Sequence, residues 1–250
     1  MRRFFIDAAQ AAKAEKDGIV EITGKDVRHI VSVLRMRTGD CLLLSASDGR
    51  EFEARITGCS DDLVSADILN VRLNATEPRV PVTLLQGVPK GDKMELIIQK
   101  CVELGVTAIV PVMTEHTVVR LPEAEAEKKR ARWQKISEEA AKQCGRGIIP
   151  QIGAVTGFEK ALRERPEEEL KLFAYENEED ITLKHRLEQE GASFEGQISL
   201  LIGPEGGFSL SEAETAGKYG FVPVSLGKRI LRTETAGIAA LSGIRFYFED

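Results

Sequence analysis

The 250-residue sequence is poor in cysteine, histidine and aromatic side chains, with four Cys, three His, one Trp and 6% aromatic residues in all. Cys41, Cys59, Cys101 and Cys144 show neither paired spacing nor a histidine nearby, which argues against a disulfide framework or a zinc site and for reduced, mostly buried thiols. The histidines form no metal constellation, so no metal ligand is assigned. Excess positive charge is also lacking: 34 Lys and Arg stand against 40 Asp and Glu, a net charge of −6. That balance excludes wrapping of nucleic acid by bulk electrostatics and leaves only local basic patches to meet such a partner. No apolar run approaches the roughly 20 residues that span a bilayer. The start, MRRFFID, lacks the apolar core of a signal peptide, so a cytoplasmic protein with no membrane partner is expected.

What is present is a 42% hydrophobic content, enough for one large domain or two modest ones. The first seventy or so residues read as short strands with tight turns. Arg2 to Ile6, Ile19 to Ile22, Cys41 to Ala46, Glu51 to Ile56 and Leu63 to Val71 are strand candidates, with a hairpin signal at Asp48-Gly49 and a short helix predicted over Asp26 to Met36. This pattern suggests a small antiparallel barrel. The segment Ala8 to Asp17 is compatible with a surface helix or a loop. Asn74 to Pro81, with two prolines and no apolar periodicity, reads as a linker, so domains of residues 1–73 and 74–250 are predicted.

From Val82 onward strands and helices alternate: strand Val82 to Gln86, helix Asp92 to Leu104, strand Ala108 to Met113, and a charged helix from Glu123 to Gln143. Strands at Gln151 to Val155 and Leu170 to Tyr175 flank a helix near Phe158 to Arg165, and a helix follows over Ile181 to Glu190. Alternation of this kind predicts an α/β domain with a parallel sheet covered on both faces. Its end carries one device twice. Ile198 to Ile202 runs into the loop Gly203 to Phe208 and a helix start marked by Ser209 and Glu212. Phe221 to Leu226 then runs into the loop Gly227 to Thr233 and a helix over Glu234 to Gly243. Ligands of open α/β sheets bind where loops leave the carboxyl ends of strands, so the two loops are expected to form one pocket. Neither the dinucleotide fingerprint nor the phosphate-loop motif fits: Lys228 is followed by Arg229, not Ser or Thr. A pocket of main-chain groups and apolar walls, from Leu201 to Gly206 and from Ser225 to Leu231, suits an adenine ring and a ribose.

The pair GPEGGFS and LGKRILRTETA resembles the bacterial ribosomal RNA small-subunit methyltransferase E family of the SPOUT superfamily. MRRFF, His29 with Val33-Leu34-Arg35, KGDKMELIIQKCVELG (90–105) and QCGR (143–146) agree with it, whereas His116 stands where an arginine is expected. The resemblance implies an N-terminal PUA-like β-barrel that binds RNA and a C-terminal α/β domain tied in a trefoil knot. It implies S-adenosylmethionine as cofactor, 16S ribosomal RNA, within the small ribosomal subunit, as partner, a homodimer, and 3-methyluridine as product. The cofactor residues it points to are Leu201, Ile202, Gly203, Pro204, Glu205, Gly206, Leu226, Gly227, Ile230, Leu231 and Arg232. Arg2, Arg3, His29, Arg35, Lys90, Arg146 and Arg229 are the candidates for RNA contact. Loss of the imide proton needs a base or an anion stabiliser. Glu234 is the leading base, Glu205 the second, and Arg232 the leading anion stabiliser. The alternatives are an RNA-binding assembly factor of the same fold without catalysis, and a nucleotide-dependent oxidoreductase, against which the missing glycine fingerprint counts.

Overall fold

The computed structural model describes residues 1–249. By internal contacts the chain divides into two units. The first joins Met1–Glu77 to Ala141–Ile149, and the second holds the remaining described residues. The division falls at Glu77/Pro78, inside the stretch Asn74 to Pro81 read as a linker, and a nine-residue return segment belongs to the first unit. Glu77 holds that segment. Glu77 accepts hydrogen bonds from Arg146 Nη2 at 2.6 Å and from the N–H groups of Gly147 and Ile148 at 2.9 and 3.0 Å.

In the first unit β1 (Arg2–Ile6), α1 (Ala8–Asp17), β2 (Ile19–Thr23) and α2 (Lys25–Arg28) precede a π-helical turn over His29–Val33. The strands β3 (Cys41–Ala46), β4 (Arg50–Cys59) and β5 (Leu63–Leu73) follow. The sheet order is β1-β3-β4-β5-β2. It is mixed, because β1 runs parallel to β3 while the other pairs are antiparallel, so the expectation of an antiparallel arrangement holds for all but one edge. Ala8 to Asp17 is a helix. Asp7 and Gln10 close a reciprocal capping box, Gly18 ends the helix at φ 70°, and Ala11 and Ala14 are buried. The helix expected over Asp26 to Met36 instead changes to π geometry at His29, and Arg35 takes φ 54°. Phe52, Ile30, Leu42, Leu44 and Ile56 fill the core.

The second unit contains β6 (Val82–Gly87), α3 (Lys93–Glu103), β7 (Ala108–Met113), α4 (Glu123–Cys144, whose last turn counts with the first unit), β8 (Gln151–Ile152), β9 (Thr156–Gly157) and α5 (Phe158–Arg163). β10 (Leu170–Ala174), α6 (Leu183–Glu190), β11 (Ile198–Ile202), α7 (Leu210–Lys218), β12 (Val222–Val224) and α8 (Thr233–Glu249) complete it. All its strand pairs are parallel, in the order β12-β10-β11-β6-β7-β8, with β9 also on β7. Every residue of β11 is buried, as its unbroken apolar run requires of a central parallel strand. The capping box predicted for α7 is present in both halves: Ser209 Oγ accepts from the Glu212 N–H at 3.2 Å, and Glu212 Oε2 accepts from the Ser209 N–H at 3.1 Å. Of the cysteines only Cys101 is buried, its thiol pushed up to about 12 by burial. Cys59 is exposed and the other two are half-buried, which corrects the expectation of mostly buried thiols. No described helix is long and apolar enough to cross a membrane.

Candidate functional site

Parallel strands bring their carboxyl ends to one edge of the sheet, and at that edge the ends of β10 and β11 and the loops that follow β10, β11 and β12 surround a cavity of about 780 Å³. That volume lies within the roughly 300–1,000 Å³ usual for small-molecule sites. The loops after β11 and β12 both line it, yet their strands are not neighbours: β10 pairs with each of them. The segment after β10, from Tyr175 to Thr182, therefore supplies a third wall, with Glu176, Glu178 and Glu179 on it. The expected two-loop pocket is a three-loop pocket.

Close packing shapes the first loop. A Cβ on Gly87, at the end of β6, would stand 2.6 Å from Pro204 N and Cδ, so the loop lies directly on the strand end. A Cβ on Gly203 would meet Gly207 Cα at 3.2 Å, and Gly207 itself takes φ 63°. Gly227 is needed for a different reason: open space surrounds it, but its φ of 114° is strained for any residue with a side chain. The start of α8 is tied in by a buried chain of hydrogen bonds. Gln86 Nε2 donates to Thr233 Oγ1 at 2.9 Å, and Thr233 Oγ1 donates to the Gly203 carbonyl at 2.6 Å. Gln86 Oε1 and Glu234 Oε2 are buried atoms without a hydrogen-bond partner. Native structures leave few such atoms, and here both stand beside the start of α8.

Nine of the expected cofactor residues line the cavity: Ile202, Gly203, Pro204, Glu205, Leu226, Gly227, Ile230, Leu231 and Arg232. Leu201 does not. Its side chain is fully buried in the apolar cluster with Leu85, Phe173 and Phe208. Gly206 also faces away, its carbonyl 2.7 Å from His116 Nδ1, which gives His116 a place in holding the loop. Glu205 lines the cavity but is committed to Lys93, whose Nζ lies 2.6 Å from Oε1. Burial acts to raise this carboxyl, but the bond from Lys93 and backbone N–H donors, that of Lys90 included, outweigh it and hold it below the usual glutamate range. An acid so stabilised in its ionised form is a poor proton acceptor, which argues against Glu205 as the base. Glu234, on the first turn of α8, does not line the cavity itself; its Oε2 lies 3.9 Å from Lys93 Nζ, which does.

The candidate RNA contacts separate by burial. Arg2, His29, Arg35, Lys90 and Arg229 are exposed, and Arg229 is on the cavity rim. Arg3 and Arg146 are not available in the same way. Arg3 is paired with the buried Glu51 and donates to Ser45 Oγ, and Arg146, 3% exposed, is paired with Glu77. Both serve the interior of the first unit. Sequence reasoning passed over Gln86, Gly87, Thr233 and the acidic wall. Only Thr233, inside the RTET motif, carried a signal of its own.

The apolar side chains of Ile202, Leu226, Leu231 and Ala236, the exposed main chain of two glycine loops and the carboxylates of the third wall fit a nucleoside that bears a cation, as S-adenosylmethionine does. Comparison with known proteins agrees. Residues 76–245 match the RNA methyltransferase domain family and residues 22–69 the RNA methyltransferase PUA domain family. Fold and site thus define an RNA methyltransferase preceded by a PUA domain. The chain is 37% identical to ribosomal RNA small subunit methyltransferase E of Bacillus subtilis (strain 168) over 251 residues, spanning 100% of this chain and 98% of that protein. The crystal structure of a ribosomal RNA small subunit methyltransferase E from Neisseria gonorrhoeae bound to S-adenosylmethionine matches with a TM-score of 0.84 at 34% identity, over 99% of this chain and 98% of that one. A methyltransferase from Legionella pneumophila in complex with the same cofactor matches with a TM-score of 0.81 at 34% identity, over 93% of both chains. The chain belongs to the ribosomal RNA small subunit methyltransferase E family.

Proposed function

We propose that this protein methylates N3 of a uridine in 16S ribosomal RNA, with S-adenosylmethionine held in the three-loop cavity. The observation that carries the reading is the cavity itself: main-chain loops 203–208 and 225–232 meet apolar walls and an acidic third side at the strand ends, in a chain of this family. The bound cofactor supplies an electrophilic sulfonium methyl group. The chain's part is to orient a uridine in line with it and to manage one proton. Glu234 accepts the imide proton, and Arg232, exposed at the cavity, stabilises the negative charge that grows on the uracil ring. Glu205 serves the cofactor loop.

The first unit is the RNA-binding module, with Arg2, His29 and Arg35 as its exposed contacts, and Lys90 and Arg229 serve RNA on the second. The PUA family match supports this division of labour. The protein acts in the cytoplasm as a homodimer on rRNA within the small ribosomal subunit. The final helix passes through a knotted crossing. The bond from Thr233, at the start of α8, to Gly203 is consistent with a crossing held tightly at that point. The test is transfer of labelled methyl to naked 16S rRNA and to small subunits, followed by nucleoside analysis. Label recovered as 3-methyluridine is expected; label in another nucleoside, or none, overturns the reading.

A further inference from the structure

The site holds one ammonium near two carboxylates and treats them unequally. Lys93 Nζ is 2.6 Å from Glu205 Oε1 but 3.9 Å from Glu234 Oε2, beyond hydrogen-bond reach. Glu205 is bound a second time, by the Lys90 N–H at 3.2 Å, so the main chain just before α3 and the side chain of its first residue both grip it. Glu234 Oε2, a buried atom, accepts no hydrogen bond from the described residues and has only the Lys93 ammonium at ion-pair distance. An ammonium carries three donors on a flexible stem. Lys93 lies near both carboxylates, and its hydrogen bond goes to Glu205.

We propose that Lys93 is a positioning residue that neutralises Glu205 and, by being held there, leaves Glu234 without a hydrogen bond from the ammonium and able to take up a proton. The inference rests on the reading of Glu234 as proton acceptor. It gives the two carboxylates opposite duties: Glu205 is the counter-ion that parks the lysine, and Glu234 is the base kept free. Two consequences follow from charge alone. Without Lys93, Glu205 becomes an unneutralised anion on the cavity wall, beside the place where negative charge grows during the reaction. Without the Glu205 charge, Lys93 closes the 3.9 Å gap to Glu234 and occupies its lone pair, which weakens it as a base. Each single loss is harmful, for a different reason. Removing both charges together cures both.

The experiment is single-turnover methylation of 16S rRNA beside calorimetric measurement of S-adenosylmethionine affinity and thermal melts. Lys93→Met and Glu205→Gln are each expected to slow turnover by about 10- to 100-fold, the range for a misplaced charged hydrogen bond, with cofactor affinity changed by less than about threefold. The double variant Lys93→Met/Glu205→Gln is expected to return to within about fivefold of wild type, and Lys93→Arg, which keeps the charge, to stay within about the same range. A double variant no faster than the faster single variant overturns the proposal, since a structural pair, or a lysine that touches the RNA, gives no recovery. Loss of turnover in Lys93→Arg as large as in Lys93→Met overturns it as well. Glu234→Gln separates this failure from that of the underlying reading: full turnover in Glu234→Gln removes the base assignment itself, whereas slow Glu234→Gln with no recovery in the double variant removes only the role of Lys93.

Discussion

In the first unit Glu51 is 3% exposed and takes hydrogen bonds from Arg3, Arg72 and Asn74, while Glu77 takes those of Arg146 and two backbone amides. In the second unit Gln86 and Glu234 each keep a buried oxygen without a hydrogen-bond partner among the described residues, and Arg229 and Arg232 extend into solvent at the cavity. The residue types are the same in both places. Where buried charges close on each other they hold an architecture together, and removing one partner strands the other in a medium of low polarity. Where a polar group beside a cavity is left without a hydrogen bond, it is open to a ligand or a reacting group, as perturbed and unpaired groups at functional sites are. Arginines and glutamates near a motif thus gain a function only after their partners are counted.

Variants of Arg232 and Glu234 test the open side of this contrast, and the largest effects belong there. Arg232→Ala is expected to lower single-turnover methylation by about 100- to 1,000-fold, the scale of one lost oxyanion donor, with cofactor affinity and melting temperature close to wild type. Glu234→Gln is expected to lose turnover chiefly at low and neutral pH and to regain part of it as pH rises, because solution then supplies more of the deprotonated uracil. Equal pH profiles for wild type and Glu234→Gln would return Glu234 to the closed, architectural class.

The closed side predicts the reverse signature. Glu51→Gln leaves the partly buried Arg3 without its counter-ion, a loss of about 3 kcal/mol of stability. Urea unfolding should show the shift, while cofactor affinity per folded molecule stays unchanged. A Glu51→Gln protein of normal stability with impaired cofactor binding would break the comparison.

How far these roles were legible depended on the range over which each is decided. The strand-loop-helix device at Ile198 to Phe208 could be read because its apolar run, glycines and capping box all lie within a few residues. The same local chemistry, Asp7 with Gln10 and Gly18, encodes α1, so the choice between helix and loop was open only because that box was passed over. The roles of Arg3 and Arg146 were not legible: their partners Glu51 and Glu77 lie 48 and 69 residues away in the chain. The third wall was invisible for a topological reason. Nothing in the sequence says that β10 separates β11 from β12, and the polar stretch from Glu176 to Asp180 has no motif to announce it. Gln86 reads as one more strand residue until α8 is seen to bring Thr233 against it.

Gly87 gives a steric version of the contrast, since it belongs to the architecture but bears on the site. Gly87→Ala forces Pro204 away from the end of β6, an overpacking worth about 1–3 kcal/mol. The displaced loop is expected to weaken cofactor binding by about tenfold, read by calorimetry, because the strain is relieved by moving the loop and not the strand. Weakened stability with intact affinity would mean that the strand yields instead.

The smallest effect on stability concerns Glu205, which stands between the two classes: it is ion-paired like Glu51 but lines the cavity like Arg232. Burial works to raise its carboxyl, and the bonds from Lys93 and backbone N–H groups prevail and lower it. A carboxyl lowered on folding contributes stability that is fully present above the unfolded value of about 4.3 and is lost as pH falls through the lower, folded value. Both partners keep about a third of their side chains in solvent, so screening limits the pair to about 1 kcal/mol or less. Wild type should therefore melt above Glu205→Gln by no more than about 2–4 °C near pH 7, and the gap should close as pH falls below about 4. Melting curves of the two proteins across that range decide the matter. A gap that persists unchanged in acid would show that the Glu205 bonds to Lys90 and Lys93 do not depend on its charge, and would place Glu205 with the neutral packing of the loop.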